Sequence, residues 1–373
     1  MTNFKQIFES HYTWIEGFMR NVRRYANRTA MIESETDKTW TYKELNADVN
    51  RLCNALEADG FKKGDVIMLQ MVNRPEFAFA YVAAHKMQGV CCPVSYRISS
   101  GEMAYNIDDS KPFAVIVCES KLASLLEALS HSQYKPKRVI VASDKELPYA
   151  TCYNDYVGGA SDAEYVSDSE YNIYDETCRL YTSGTTGRPK GVAMTSINEV
   201  LSAHDVMIHF PMSYKDVTMN TTPWFHRGGL HCAGPCPTFY AGATLVILGK
   251  FESRTALKLV QKYKISFVVG VPTVLEELAD EQMRQGYDLT TLKGIVTMGS
   301  PLERSACIRY QKVLTPNIFN GYGTTETFWN TFLRPFDLPE NAGTAGASCV
   351  DDDVRVVKVY DDRKAEPDDL AAT

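Results

Sequence analysis

The sequence predicts an α/β fold of two stacked lobes, each a mainly parallel sheet flanked by helices, followed by an incomplete β segment at the C-terminus. Three observations predict it. Short apolar runs that read as buried strands alternate with stretches of helical periodicity, the pattern left by crossovers between parallel strands. The alternation breaks once, over residues 148–176, where the chain is polar and rich in Asp, Ser, Gly and Tyr, and then resumes. After Asn341 it changes again, and acidic groups at 351–353, 361–362 and 368–369 punctuate one short alternating strand over 354–360. The breaks place lobe one at about 1–175, lobe two at about 176–343 and the start of a β subdomain at about 344–373.

In lobe one, Thr41 and Glu44 form a capping-box pattern, and Leu45, Val49, Leu52 and Leu56 follow at helical spacing until Gly60. A buried strand over 66–71 and a helix over 75–88 come next. A strand over 90–94, a second capping box at Ser99 and Glu102, and strands over 113–118 and 138–142 around a helix near 121–129 complete the lobe. Lobe two has strand candidates at 179–181, 217–221, 244–248, 266–271, 294–298 and 317–320. Its helix candidates are 196–209 (capping box Ser196 and Glu199), 254–263, 274–281 and 303–312.

Composition narrows the function. With 39 Lys+Arg against 46 Asp+Glu the net charge is −7, which argues against a nucleic-acid binder that works by neutralising phosphates. The longest strongly apolar stretch, 77–84, is far short of a bilayer span, and the N-terminus lacks the apolar core of a signal peptide. Ten scattered cysteines without a Cys-x-x-Cys pair suit reduced thiols, so the expectation is a cytoplasmic protein. His226, His231, Cys232 and Cys236 match no usual zinc spacing and read as packed core.

The sharpest chemical signal is Tyr181-Thr182-Ser183-Gly184-Thr185-Thr186-Gly187-Arg188-Pro189-Lys190-Gly191, between a strand and a helix. Glycines let backbone N–H groups approach a polyphosphate, hydroxyls add donors, and lysine adds a point charge. The spacing does not satisfy the Walker A pattern, which disfavours an ADP-forming ATPase. A second motif, Asn320-Gly321-Tyr322-Gly323-Thr324-Thr325-Glu326-Thr327, joins an aromatic face, hydroxyls and a carboxylate suited to a hard cation.

Together these stretches resemble the signatures of the adenylate-forming superfamily of acyl-CoA synthetases, adenylation domains and luciferases. The resemblance covers about 42–360 and implies the family's large N-terminal domain. It implies that Thr182–Lys190 holds the β- and γ-phosphates of ATP, that Tyr322 stacks on adenine, that Thr325 donates to the α-phosphate and that Glu326 ligates Mg²⁺. By the same resemblance Gly299-Ser300-Pro301 lies against adenine and the acyl group, His226 at the junction of acyl group and phosphate, and Val271 along the acyl tunnel beside Tyr322 and Thr327. The implied reaction is an AMP-forming acyl-CoA ligation: a small carboxylic acid attacks ATP, releasing pyrophosphate, and coenzyme A displaces AMP from the acyl-adenylate. Loading of a carrier-protein thiol and a non-catalytic binding module are the alternatives. The family's small C-terminal domain, with its catalytic lysine, cannot be placed before Thr373, so full turnover by this polypeptide is in doubt. Phe328 and Trp329, directly after the second motif, either narrow the acyl tunnel towards aryl or short acids or belong to the core.

Overall fold

The computed structural model describes residues 3–143, 145–148, 150–182 and 188–371. Two sheets carry the fold. A seven-stranded sheet runs, in spatial order, Thr151–Cys152, Arg138–Ala142, Ala114–Cys118, Val66–Gln70, Val90–Pro93, Glu176–Thr182 and Lys190–Thr195, parallel except for its last pair. A nine-stranded sheet runs Ala347–Ser348, Phe328–Leu333, Ile318–Thr324, Gly294–Met298, Phe267–Gly270, Val217–Asn220, Thr244–Ile247, Thr29–Glu33 and Thr39–Thr41. Its centre is parallel and its two ends are antiparallel. Central strands such as Val66–Gln70 and Ala114–Cys118 are buried at every position, as continuous apolar runs require when helices cover both faces.

The boundary near residue 175 does not separate the two sheets. The strands 176–182 and 190–195 extend the first sheet, while Thr29–Glu33 pairs in parallel with Thr244–Ile247 of the second. The reason is non-local: Thr29–Glu33 is a short strand whose partner lies over 200 residues away. The polar stretch 148–176 contains a short strand and the helix Tyr153–Gly158, and it docks on the helix Tyr42–Ala58. Asn50 and Asn54 of that helix donate to the carbonyls of Asp162 and Ser161.

A second difference concerns the C-terminal segment. Residues 354–360 form no sheet strand; a single antiparallel bridge joins Val357 to Leu370. Val356 and Val359 are 75% and 94% exposed, so the alternation there has no second surface to cover its apolar face. The helix Ser196–His209 is capped one residue earlier than the sequence suggests: the Asn198 Oδ1 accepts from the backbone N–H and hydroxyl of Thr195. Glu199 is thereby released from capping and is fully buried. The Thr41/Glu44 and Ser99/Glu102 boxes form where the spacing places them.

The helix Pro75–Lys86 is buried along its whole length, which marks it as the layer between the sheets. Its single cation, Lys86, is 2% exposed and is satisfied by Glu164 Oε1 at 2.6 Å and by the side-chain oxygens of Asn46 and Asn50. All ten cysteines are buried and free. Among the described residues no helix is long and apolar enough to cross a membrane.

Asp59, capping the helix Tyr42–Ala58, ties it to the strand Arg138–Ala142 by accepting from Arg138 Nε at 2.6 Å and from the Tyr156 hydroxyl at 2.7 Å. The Arg138 guanidinium holds its carboxyl down at about 2. A depressed carboxyl contributes stability above its unfolded value near 3.8 and loses it as pH falls through the folded one. Asp59→Asn is therefore expected to cost about 1 kcal/mol at neutral pH, given the solvent that reaches Arg138. In urea titrations the difference from wild type should shrink between pH 4 and pH 2.

Candidate active site

Four neighbouring parallel strands, Val217–Asn220, Phe267–Gly270, Gly294–Met298 and Ile318–Thr324, end on one edge of the nine-stranded sheet. In parallel α/β sheets ligands bind at the carboxyl ends of the strands. The chain continues from these ends into the segment bearing His226, then Val271, Gly299-Ser300-Pro301, and the second motif. Four of the patches picked out by sequence thus share one edge.

The second motif is a β-hairpin. Ile318–Thr324 pairs antiparallel with Phe328–Leu333, and Thr325, Glu326 and Thr327 form the turn between them. Phe328 closes this three-residue loop in the left-handed region at φ 64°, the conformation such hairpin loops require. The Thr324 hydroxyl accepts from the Thr327 backbone N–H at 3.2 Å, and the Thr327 hydroxyl reaches Asn330 Oδ1 at 2.8 Å. A Cβ on residue 323 would lie 1.4 Å from the Phe328 carbonyl oxygen, so only glycine fits there. Glu326 is exposed at the tip.

Beside the hairpin lies a cavity of about 420 Å³, lined by Gly299, Ser300, Pro301, Asn320, Gly321, Tyr322, Gly323, Gly343, Thr344 and Ala345. Seven of these ten were singled out by sequence. Gly343, Thr344 and Ala345 were not, although the glycine-spaced run from Asn341 to Gly346, with positive φ at Gly343 and Gly346, was a turn signal. Tyr322 is 54% exposed and offers its ring to the cavity, whereas Asn320 is buried and its Oδ1 has no hydrogen-bond partner among the described residues. Gly299 has φ 87° and Val271 Cγ1 stands 3.8 Å from where its Cβ would be, so strand end and neighbouring helix start meet there. The next helix, Arg304–Val313, begins beyond Pro301, close to where its periodicity placed it.

The remaining predicted residues do not line this cavity. Ser183, Gly184, Thr185, Thr186 and Gly187 lie outside the described residues. Thr182 and Lys190, at either end of that loop, pair with each other across the last two strands of the seven-stranded sheet, and Lys190 is exposed. Thr324, Thr325, Glu326 and Thr327 stand at the hairpin tip. His226 caps the short helix Arg227–His231, packs on Phe225 at 4.2 Å, and is pushed below its ordinary value by burial and by Arg97. Phe328 and Trp329 stack on each other at 4.7 Å in a core cluster with Phe210, Phe267, Phe319 and Phe332, so both rings are core.

Sequence reading missed a buried polar network behind the site. His231 Nε2 hydrogen-bonds the Glu199 carboxylate at 2.8 Å, and the Tyr81 hydroxyl donates to it at 2.5 Å. Cys236 Sγ donates to the Glu199 backbone carbonyl at 3.5 Å. Glu199 and His231 are both completely buried. Burial alone would raise the Glu199 carboxyl, yet the His231 ring and the charge of Arg227 hold it below its ordinary value; His231 itself is lowered by burial. Cys236 thus meets His231 through the fold, with Glu199 as the third group, while Cys232 packs in a separate apolar cluster. No sequence spacing signals this, because Tyr81, Glu199 and His231 come from three separate helices.

An AMP-binding enzyme family model matches residues 18–369. The chain is 26% identical over 336 residues to 4-coumarate–CoA ligase of Pinus taeda, covering 87% of this chain and 61% of the relative. It is 27% identical over 337 residues to the long-chain-fatty-acid–CoA ligase FadD13 of Mycobacterium tuberculosis, covering 88% and 63%. The chain spans about three fifths of the length of the curated relatives it matches. Among solved structures it is similar to the anthranilate CoA ligase AuaEII in complex with anthranoyl-AMP, with TM-score 0.85, 20% identity, and 96% and 67% of the two chains covered. The inhibitor-bound N-terminal domain of FACL13 from Mycobacterium tuberculosis gives TM-score 0.83 at 24% identity, covering 95% and 86%. These structural likenesses establish the shared fold.

Two substitutions test the local account by denaturant midpoint. Gly323→Ala forces the hairpin strands apart and should cost about 3 kcal/mol. Glu199→Ala strands the Tyr81 hydroxyl and leaves Arg227 without its nearby countercharge, and should cost about 3–5 kcal/mol.

Proposed function

The chain belongs to the AMP-binding enzyme family, and on that footing we propose that it binds ATP and a small carboxylic acid for an AMP-forming acyl-CoA ligation. The observation that carries this reading is the pairing of Asn320 with Tyr322 on one cavity wall. A buried carbonyl oxygen without a donor is costly, and an adenine amino group supplies that donor. The exposed ring of Tyr322 beside it supplies a stacking face for the same base. Asn320 and Tyr322 stand two residues apart on one strand, whereas a side chain at Gly321 would meet Trp329 and Phe332 and one at Gly323 the Phe328 carbonyl.

The chemistry follows from position. A carboxylate is a poor acyl donor because its leaving group would be oxide. Attack of its oxygen on the α-phosphorus of ATP forms the P–O bond of an acyl-adenylate and breaks the bond to pyrophosphate. The sulfur of coenzyme A then displaces AMP, which leaves with the oxygen first supplied by the acid. The first step needs alignment and charge neutralisation more than proton transfer. In this reading Thr325 and the backbone of the hairpin turn meet the α-phosphate, and the Thr182–Lys190 loop takes the β- and γ-phosphates. His226 stands beside the acid, with Val271 and Gly299 along its path and Thr327 near its far side.

Glu326 fits Mg²⁺ by donor chemistry: an exposed carboxylate among threonine hydroxyls offers oxygen alone, and this cation keeps most of its waters and takes phosphate oxygens. When bound, the ion would offset phosphate charge.

Calorimetry with the chain checks the reading. ATP should bind in the presence of Mg²⁺, Tyr322→Ala and Asn320→Ala should each weaken it by roughly tenfold, and Glu326→Gln should reduce the dependence on Mg²⁺. Absence of ATP binding by well-folded protein would contradict the assignment.

A further inference from the structure

Arg97 is a guanidinium without a counter-ion. It is exposed, in the loop between the strand Val90–Pro93 and the helix Ser100–Ser110. Its side chain lies 5.3 Å over the Tyr96 ring and donates to the Tyr96 hydroxyl at 3.3 Å, and it makes no ion pair among the described residues. Glu102, the nearest acid in the sequence, is engaged elsewhere, accepting from the backbone N–H and hydroxyl of Ser99 as part of the helix cap. Arg188 and Lys190 are likewise exposed and without an ion pair among the described residues, in a chain whose net charge is −7.

The fold brings these three cations to one edge. Val90–Pro93 and Glu176–Thr182 are neighbouring parallel strands, with Cys91 beside Cys178, so the loop bearing Arg97 and the glycine-rich loop leave the seven-stranded sheet side by side. The Tyr105 hydroxyl, on the helix that follows Arg97, donates at 3.2 Å to the carbonyl of Pro189, between Arg188 and Lys190. On its other side the same loop meets the segment that leaves the nine-stranded sheet. Tyr96 packs edge-on against Phe225 at 5.4 Å, Phe225 packs on His226, and the charge of Arg97 helps to hold His226 below its ordinary value. Arg97 thus stands between the glycine-rich loop and His226, on a surface that solvent reaches.

We infer that Arg97 is a further phosphate-binding residue of this site, taking a phosphate group presented between the glycine-rich loop and His226. The group is a terminal phosphate of ATP or a phosphate of coenzyme A, the two phosphorylated substrates of the ligation proposed above, and the inference rests on that reading. A guanidinium offers a planar fork of N–H donors that matches two phosphate oxygens, and the Tyr96 ring gives that fork a flat support. No carboxylate has to be displaced first. When the bond to pyrophosphate breaks, negative charge grows on the leaving phosphates, where a cation already in place offsets it.

The test is calorimetric binding of inorganic pyrophosphate, ATP, AMP and coenzyme A, each with Mg²⁺, to the wild-type chain, Arg97→Ala and Arg97→Lys. If the phosphate is that of ATP, Arg97→Ala should weaken pyrophosphate and ATP about tenfold; if it is that of coenzyme A, the same loss should fall on coenzyme A. AMP should bind unchanged in either case. Arg97→Lys, which keeps a point charge without the fork, should recover part of the loss, with denaturant midpoints as the check on folding. Equal affinities of wild type and Arg97→Ala for all four ligands, or a loss that extends to AMP, would overturn the inference, as would a wild-type chain that binds none of them. Pyrophosphate binding that depends on Arg97 in a chain that does not bind ATP would instead strike the underlying adenine reading.

Discussion

The Phe328 carbonyl occupies the space where any side chain at position 323 would stand, and the candidate site depends on that close approach. It makes Gly323 obligatory, draws the two strands of the hairpin together and turns Phe328 into the left-handed region. With the strands so pinned, Tyr322 faces the cavity, Asn320 is buried beneath it, and Thr325 and Glu326 are carried to the tip. The rest of the site is arranged around this hairpin by the parallel register of its neighbours, whose ends bring Gly299 and Val271 alongside.

Behind this edge the core is polar where it joins the two sheets. Glu199 accepts from Tyr81, on the buried inter-sheet helix, and holds His231, on the short helix that starts at His226. Arg227 reaches back to Met194 and Ser202, at the end of the strand that follows the glycine-rich loop and on the helix after it. These bonds couple the segment carrying His226 to both sheets, and a shift in one would be felt in the other. Buried polar networks of this kind act as a unit, since each member leaves the others unsatisfied when removed.

Much of this was legible in the sequence, for physical reasons. The strands at 66–70, 114–118 and 294–298 are continuous apolar runs because helices bury both faces, and such runs stand out from the amphipathic helices between them. The two glycine-bearing motifs announced themselves by residue types that few structural roles need together. What escaped was non-local. Thr29–Glu33 has too little pattern of its own to reveal that it joins the far sheet, and Glu199 looked like a cap until Asn198 took that place. The alternation at 354–360 misled because period-two patterning marks a strand only when a partner covers its apolar side.

The central claim is that the cavity beside the hairpin takes the adenine of ATP. Photolabelling with 2-azido-ATP, followed by peptide mapping, tests it without requiring turnover. The account predicts saturable labelling on the peptides that contain Tyr322 or Thr344, displaced by ATP and by AMP. Labelling confined to other peptides, or labelling that neither nucleotide displaces, would contradict it.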